Sequence, residues 1–499
     1  MLAKKPVRKA AQKHRAKEKK VAYSSKKNPA KSSRKKMVRK PTGGAKAKAH
    51  TPMPEERLTK EQLIERARKP GLEAMRLHPF YRGKIEVVAK CCIRDFSDFA
   101  IWYTPGVAEP CKDIAAHPEK VWEHTIKGNT IAVVSDGTRV LGLGDIGPEA
   151  AMPVMEGKGL LFKYLGGVDA VPICLGTKNP DEIIQAVKWL QPSFGGFNLE
   201  DIEKPKCFRV LDTLRRECRV PVWHDDQQGT AAVTVAGLVN ALKVVGKAID
   251  QVKLVLNGAG AANIRIAHLC MQAGVKGENM LVCDSRGALH AGRTELAQSE
   301  PEKWELVRLT NPQGFAGNLA EALRGADVLI SLSKSGPDVI HKDWVAGMAK
   351  GAIVFVCANP VPEIWPWEAR EAGARVVATG RSDFPNQVNN SMGFPGIFRG
   401  TLDVRARTIT DEMCLEAALE LARCAEDRGL RDDYLLPTMD DWEVFPREAA
   451  AVGMKAIEQG VAGITGVTRS DLLRMAEKTI QRARAEIDLL QEEGIIRMP

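Results

Sequence analysis

A chain of 499 residues, 44% hydrophobic and 27% charged, has room for two or three globular domains and enough apolar sequence for their cores. No apolar run approaches the ~20 residues that span a bilayer, and the first residues lack the apolar stretch of a signal peptide, so neither a membrane nor a secreted protein is expected. The net charge of +11 is uneven: residues 1–50 hold 19 Lys and Arg against the single acid Glu18, while beyond them acids outnumber bases.

Residues 1–52 have almost nothing to bury and read as a disordered basic tail. Such a tail can touch nucleic acid by counterion release, and it can equally be a solubilising extension. Eleven scattered cysteines without a C-x-x-C pair suggest reduced thiols and a cytoplasmic protein, with Cys91 and Cys92 as packing residues. A polar helix is expected from Pro54 to Lys69, stopping at Pro70-Gly71. Gly83 to Val88 reads as a strand. Further on, Tyr103-Thr104-Pro105-Gly106 must turn and would leave the Tyr103 hydroxyl at a rim.

Thr130–Ser135 is a buried strand, and Arg139 to Gly144 a second one breaking into a glycine-rich turn. Lys158, flanked by Gly157 and Gly159 at the mouth of an apolar helix, is placed to be desolvated, which would lower its pKa toward that of a base. Another strand covers Ala170 to Leu175. Asn179-Pro180-Asp181-Glu182 then starts a helix with a cap, a first-turn proline and acids on the dipole.

Two acidic pairs follow, Glu200-Asp201 and Asp225-Asp226, each just beyond an apolar run and separated by a helical pattern through Phe208, Leu211 and Leu214. Either pair alone reads as solvated loop acids. Side by side, several carboxylates repel one another unless a cation joins them, and hard oxygen donors suit Mg²⁺ or Mn²⁺.

A second domain begins near Ala231. Its strand Lys253–Asn257 runs into Gly258-Ala259-Gly260-Ala261-Ala262-Asn263, then a helix, then a strand ending at Asp284. That order is the dinucleotide fingerprint, with Asp284 suited to ribose hydroxyls and Arg286 to a 2′-phosphate. Asn263 stands where Gly or Ala is usual and is expected to strain or widen the helix–strand contact. Ala326–Ser331, Ala352–Cys357 and Arg375–Thr379 continue the strand–helix alternation. Asn359 and Asn390 fall in loops beyond such strands, where an amide can meet a nicotinamide or a carboxylate. From Thr410 the pattern is helical, and a final helix from Asp471 to Glu492 should dock on another helix or a second subunit.

The fold class expected is α/β: an N-terminal α/β metal and substrate domain, a Rossmann-type doubly wound parallel sheet, and a helical C-terminus. The boundaries are 1–52 for the tail, 53–230, 231–409 and 410–499.

Six segments taken in order (103–108, 140–144, 153–158, 198–201, 224–227 and 380–383) resemble malic enzyme, in the compact prokaryotic form without a phosphotransacetylase-like domain; the likeness runs through residues 72–430. The resemblance implies oxidative decarboxylation of L-malate to pyruvate and CO₂ with NAD⁺ or NADP⁺ and Mn²⁺ or Mg²⁺, in a homodimer or larger homo-oligomer. It implies Glu200, Asp201 and Asp226 as metal ligands, Lys158 as the base at the C2 hydroxyl, Asp225 as its holder, and Tyr103 as the acid at C3. Arg139 would clamp a substrate carboxylate; Asn359 and Asn390 would bind substrate or the nicotinamide amide. Compact bacterial forms often use NADP. A malolactic reaction releasing lactate is the alternative, alongside nucleic-acid association by the tail as an added role. A regulatory homologue is disfavoured by the intact catalytic set.

Overall fold

The computed structural model describes residues 60–499, so the expected basic tail and residues 54–59 of the expected first helix lie outside the described residues. Two sheets organise the rest. The first is wholly parallel, in the order β2-β1-β3-β4, from β1 (Thr130–Ser135), β2 (Asp169–Cys174), β3 (Gly196–Leu199) and β4 (Val222–His224). The register pairs Leu199 with His224. Glu200-Asp201 and Asp225-Asp226 are the next residues of two adjacent parallel strands, so both acidic pairs leave the sheet at the same edge. Strands buried on both faces need near-continuous apolar sequence, and Ile131 to Val134 are fully buried.

The second sheet holds β5 (Leu254–Asn257), β6 (Met280–Asp284), β7 (Gly287–Ala288), β8 (Val328–Ser331), β9 (Ile353–Val356) and β10 (Val376–Thr379) in the order β10-β9-β8-β5-β6-β7. All pairings are parallel except the short β6–β7 pair. The strand order reverses between β5 and β8, which puts the dinucleotide crevice beside the glycine-rich turn. The C-terminal helices Asp411–Glu426, Val444–Glu458 and Arg469–Glu492 pack on one another, and the last also lies on the helix Pro148–Gly166. Asp225–Val245 is long and apolar enough by composition to cross a bilayer, and most of it is buried inside the fold.

Several local expectations fail. The first helix runs Lys60–Tyr81, through Pro70 and Gly71: on an exposed helix the missing proline N–H breaks one hydrogen bond without ending the element. Gly83 to Val88 is not a strand; among the described residues no neighbour pairs with it, and Val87 is wholly exposed. Arg139 to Gly144 forms only an isolated Val140–Gly144 bridge around a turn in which Leu141 has φ +48°. Cys91 and Cys92 are exposed and pack against no core. Lys158 is not at a helix mouth: the helix starts at Pro148, so Lys158 sits midway along it.

Asn263 does the opposite of straining its contact. Its side-chain amide donates to the carbonyls of Asn257 and Gly258, both at 2.8 Å, and fastens the helix start to the end of β5.

Candidate active site

The first sheet's edge becomes a site because a short π-turn, Asp225–Gly229, joins β4 to the helix Thr230–Val245. Its extra residue re-aims consecutive side chains: Asp225 is fully buried, whereas Asp226 faces partly outward. A Cβ on Gly229 would lie 2.0 Å from Asp225 Oδ1, so any side chain there would displace the Asp225 carboxylate.

Glu200, Asp201 and Asp226 each bring one carboxylate oxygen within 4.8 Å of the others. Asp201 takes φ +55°, its N–H donates to Asp226 Oδ2 at 2.9 Å, and its Oδ2 is buried without a partner. Asn198 donates to Glu200 Oε2 at 2.8 Å. Burial first, then the charge of Asp226, pushes the Asp201 carboxyl up to about 8; burial likewise holds Glu200 well above the usual range. Burying like charges without a counterion is costly. Three converging carboxylates, one of which also has an orphaned oxygen, fit a hard divalent cation.

Lys158 Nζ enters from the opposite helix, 2.6 Å from Asp225 Oδ2 and 3.1 Å from Glu200 Oε1, over the Phe394 ring. The expected fall in its pKa does not occur here. Burial does lower it, but Asp225 and Glu200 outweigh burial and the net direction is up. Asp225 is itself held by Asn390 Nδ2 at 2.5 Å and Trp223 Nε1 at 3.3 Å. His224, fully buried with neither ring nitrogen partnered, lies 3.6 Å from Asp226; burial lowers its pKa.

Residues from across the chain thus meet: Lys158, Glu200, Asp201, Asp225, Asp226 and Asn390. Arg139 stands beside them, exposed, its backbone N–H donating to Asp201 O and its guanidinium to Leu141 O. Its turn approaches the Asn359-Pro360 loop, since a Cβ on Gly142 would meet Asn359 O at 3.5 Å. Tyr103 is not brought in: it is 71% exposed on an irregular stretch rich in exposed apolar side chains. Phe394 and Trp223 carry no signal in the sequence as site residues, since an apolar residue beside a charged one has no telling spacing, and Asn198 is legible only as part of the segment 198–201.

At the cofactor sheet, Gly258 has φ +97°, where a Cβ would lie 2.5 Å from Leu332 O. Ala259 is buried, and Gly260 precedes the helix that Ala261 and Ala262 open, the arrangement that receives a pyrophosphate. Asp284 ends β6 with its carboxylate filled by four donors. Arg286 N (2.9 Å) and Arg293 Nη1 (2.9 Å) reach Oδ1; Arg293 Nη2 (2.7 Å) and Lys303 (3.2 Å) reach Oδ2. The Arg286 guanidinium is exposed and pairs with Glu295.

The profile described as "Malic enzyme, N-terminal domain" matches residues 82–180, and "Malic enzyme, NAD binding domain" matches residues 227–457. The chain belongs to the malic enzyme family. It is an NAD(P)-dependent oxidoreductase that converts malate to pyruvate and CO₂ with reduction of NAD(P)⁺ and depends on a metal. It is 51% identical over 407 residues to the "Bifunctional malic/malolactic enzyme" of Bacillus subtilis, covering 82% of this chain and 97% of that protein. To the "NAD-dependent malic enzyme" of Geobacillus stearothermophilus it is 50% identical, over 76% and 78% of the two chains. Among solved structures, malic enzyme from Entamoeba histolytica superposes with a TM-score of 0.86 at 48% identity, covering 89% of this chain and 93% of that one. The malic enzyme from Pyrococcus horikoshii gives 0.80 at 48%, over 85% and 98%.

Proposed function

We propose that Lys158 takes the proton from the C2 hydroxyl of L-malate, and that Asp225, aided by Asn390, holds the ammonium formed. The observation that carries this reading is the burial of Lys158 against Asp225 and Glu200, beside three converging carboxylate oxygens. Glu200, Asp201 and Asp226 would hold Mn²⁺ or Mg²⁺. When bound, the cation supplies Lewis acidity at the substrate oxygen and the nicotinamide accepts the hydride. Lys158 accepts a proton in its neutral form, and its neighbouring carboxylates favour its charge less when they are ligated.

Arg139 would orient a substrate carboxylate; Asn359 would meet the nicotinamide amide or the substrate, as would Asn390. Tyr103 would protonate C3 after CO₂ leaves. Its exposure means that this role needs its stretch packed against a site. Ile85, Val87, Phe96, Phe99 and Trp102 are exposed with it, which supports assembly as a homodimer or larger homo-oligomer. A boundary between substrate and cofactor domains near residue 230, a separate C-terminal helical unit from 410, and a cytoplasmic location belong to the same proposal.

The filled carboxylate of Asp284 has no lone pair left for a ribose hydroxyl, and Arg293 and Lys303 neutralise it. That supports NADP⁺ over NAD⁺, with Arg286 on the 2′-phosphate. A malolactic second reading is favoured by the name of the Bacillus subtilis relative. Absorbance at 340 nm with L-malate, Mn²⁺ and each cofactor separately tests both readings. Pyruvate with reduced cofactor, abolished in Lys158→Ala, is the expected result. Lactate without net reduction would move the assignment to the second reading, and full activity in Lys158→Ala would reject the base.

A further inference from the structure

Glu363 lies outside the metal pocket and nothing above uses it, yet it is fully buried and no cation pairs with it among the described residues. It follows β9 and reaches back across the sheet's carboxyl edge. Oε1 accepts from Ser331 Oγ at 2.8 Å, Ser333 N at 3.0 Å and Ser333 Oγ at 3.4 Å; Oε2 accepts from Ala358 N at 3.1 Å. On the far side, Asn257 Nδ2 donates to both serine hydroxyls, at 2.9 and 3.0 Å.

An amide nitrogen can only donate, so each hydroxyl accepts from Asn257 and spends its one proton on Glu363. The two backbone N–H groups also only donate. Glu363 therefore faces donors alone, and its anion is the form that satisfies them all. Burial outweighs these donors, so the net direction of its pKa is up, and the donors pull it only part of the way back.

The network has a particular address. Asn257 ends β5, Ser331 ends β8, and Ala358 follows β9. β5 and β8 flank the point where the strand order reverses, and ligands of such sheets bind in the crevice there. Gly258, next to Asn257, already approaches Leu332 O and the Ser333 Cα. The spacing between the glycine-rich turn and the loop after β8 thus depends on what holds Ser331 and Ser333.

We propose that Glu363 is a positioning residue for the dinucleotide: through Ser331 and Ser333 it sets the separation of the two loops that form the cofactor crevice. The inference rests on the NAD(P)-dependent reading of the second sheet, and not on the residues assigned to malate.

Glu363→Gln tests it, because the amide keeps the volume and loses the anion. Its NH₂ must then face an N–H or hydroxyl donor. NADPH and NADH binding is followed by nucleotide fluorescence without malate, and Mn²⁺ binding by calorimetry. The expected result is cofactor affinity reduced about tenfold, what one charge-assisted hydrogen bond is worth, with Mn²⁺ affinity unchanged. In turnover, KM for the cofactor rises while KM for malate holds. Unchanged cofactor affinity overturns the proposal, as does parallel loss of cofactor and Mn²⁺ binding, which would mark a general structural role. If Glu363→Gln does not fold, Ser333→Ala decides: it removes one hydroxyl, and a roughly threefold weaker cofactor supports the proposal where an unchanged affinity rejects it. Because no malate is present, a protein inactive on malate that still binds cofactor in this pattern would separate the two readings.

Discussion

The two sheets end alike and differ in what happens to the acids at their carboxyl edges. Beyond β3 and β4, Glu200, Asp201 and Asp226 crowd together, with Asp201 Oδ2 buried and unpartnered. At the end of β6 and after β9, Asp284 and Glu363 are carboxylates too, and every oxygen has a donor. An acid cluster the protein leaves unsatisfied is built for something that arrives; a satisfied acid is part of the frame. The distinction predicts that removing a carboxylate loses a ligand at the first edge and geometry at the second.

The largest effect belongs to the first edge. Residues that merely orient metal ligands cost about 10–100-fold in affinity or activity; a ligand itself should cost more. Asp226→Ala is expected to lower malate turnover by at least ~1000-fold and to weaken Mn²⁺ binding by calorimetry, with NADPH affinity retained. Near-normal Mn²⁺ binding would mean that these oxygens only resemble a cation site.

A step smaller, Gly229→Ala sharpens the same contrast without touching a ligand. The new Cβ needs the space of Asp225 Oδ1 and must push that carboxylate off Lys158. Turnover should fall about 10–100-fold while Mn²⁺ still binds. Mn²⁺ and turnover lost together would show that the π-turn itself collapsed.

The unsatisfied edge also carries a pH signature. Burial and the charge of Asp226 push the Asp201 carboxyl up to about 8 in the metal-free fold, far above the value it has when unfolded. A folded pKa above the unfolded one gives stability that is complete below the unfolded value and is lost as pH rises through about 8. Metal-free protein should therefore melt lower at pH 8 than at pH 5. Mn²⁺, which needs the carboxylate free, should bind up to about tenfold more tightly per pH unit across that window. A Mn²⁺ affinity flat between these values would place the titrating proton elsewhere.

The same contrast explains what could be read from the chain. Both acidic pairs, the strands before them and the glycine-rich turn after β5 were legible, because a buried parallel strand needs a continuous apolar run and the following loop must carry the polar chemistry. Lys158 was legible as a residue and not as a position: Gly157 and Gly159 suggest a helix mouth, though apolar packing carries the helix through them. Its pKa was misjudged because burial is local in sequence, whereas Asp225 and Glu200 come from other strands. Gly83 to Val88 has strand composition, but a strand also needs a neighbour, and pairing is not written in a single segment. Arg293, Lys303 and Glu363 gave no signal at all, since each acts on a residue or loop that only the fold brings near.

The smallest effect tests the satisfied edge through Asn263, where the expected misfit turned out to be a clasp. Its amide is the partner of two carbonyls, Asn257 O and Gly258 O, that end β5 beside the cofactor crevice. Asn263→Ala restores the residue type usual at that position and leaves the Gly258 carbonyl without its donor, while Asn257 O keeps the Leu332 N–H at 3.0 Å. If small size were all the contact required, alanine would be neutral or stabilising. If the clasp matters, stability should fall by about 1–3 kcal/mol, the range for buried polar groups left unpaired, measured by urea unfolding with and without NADPH. Cofactor should then recover part of the loss, because binding stabilises the folded form by mass action, while the Mn²⁺ affinity of the other edge stays as it was. An alanine variant as stable as the parent would return Asn263 to a tolerated irregularity and confine the satisfied frame to Asp284 and Glu363.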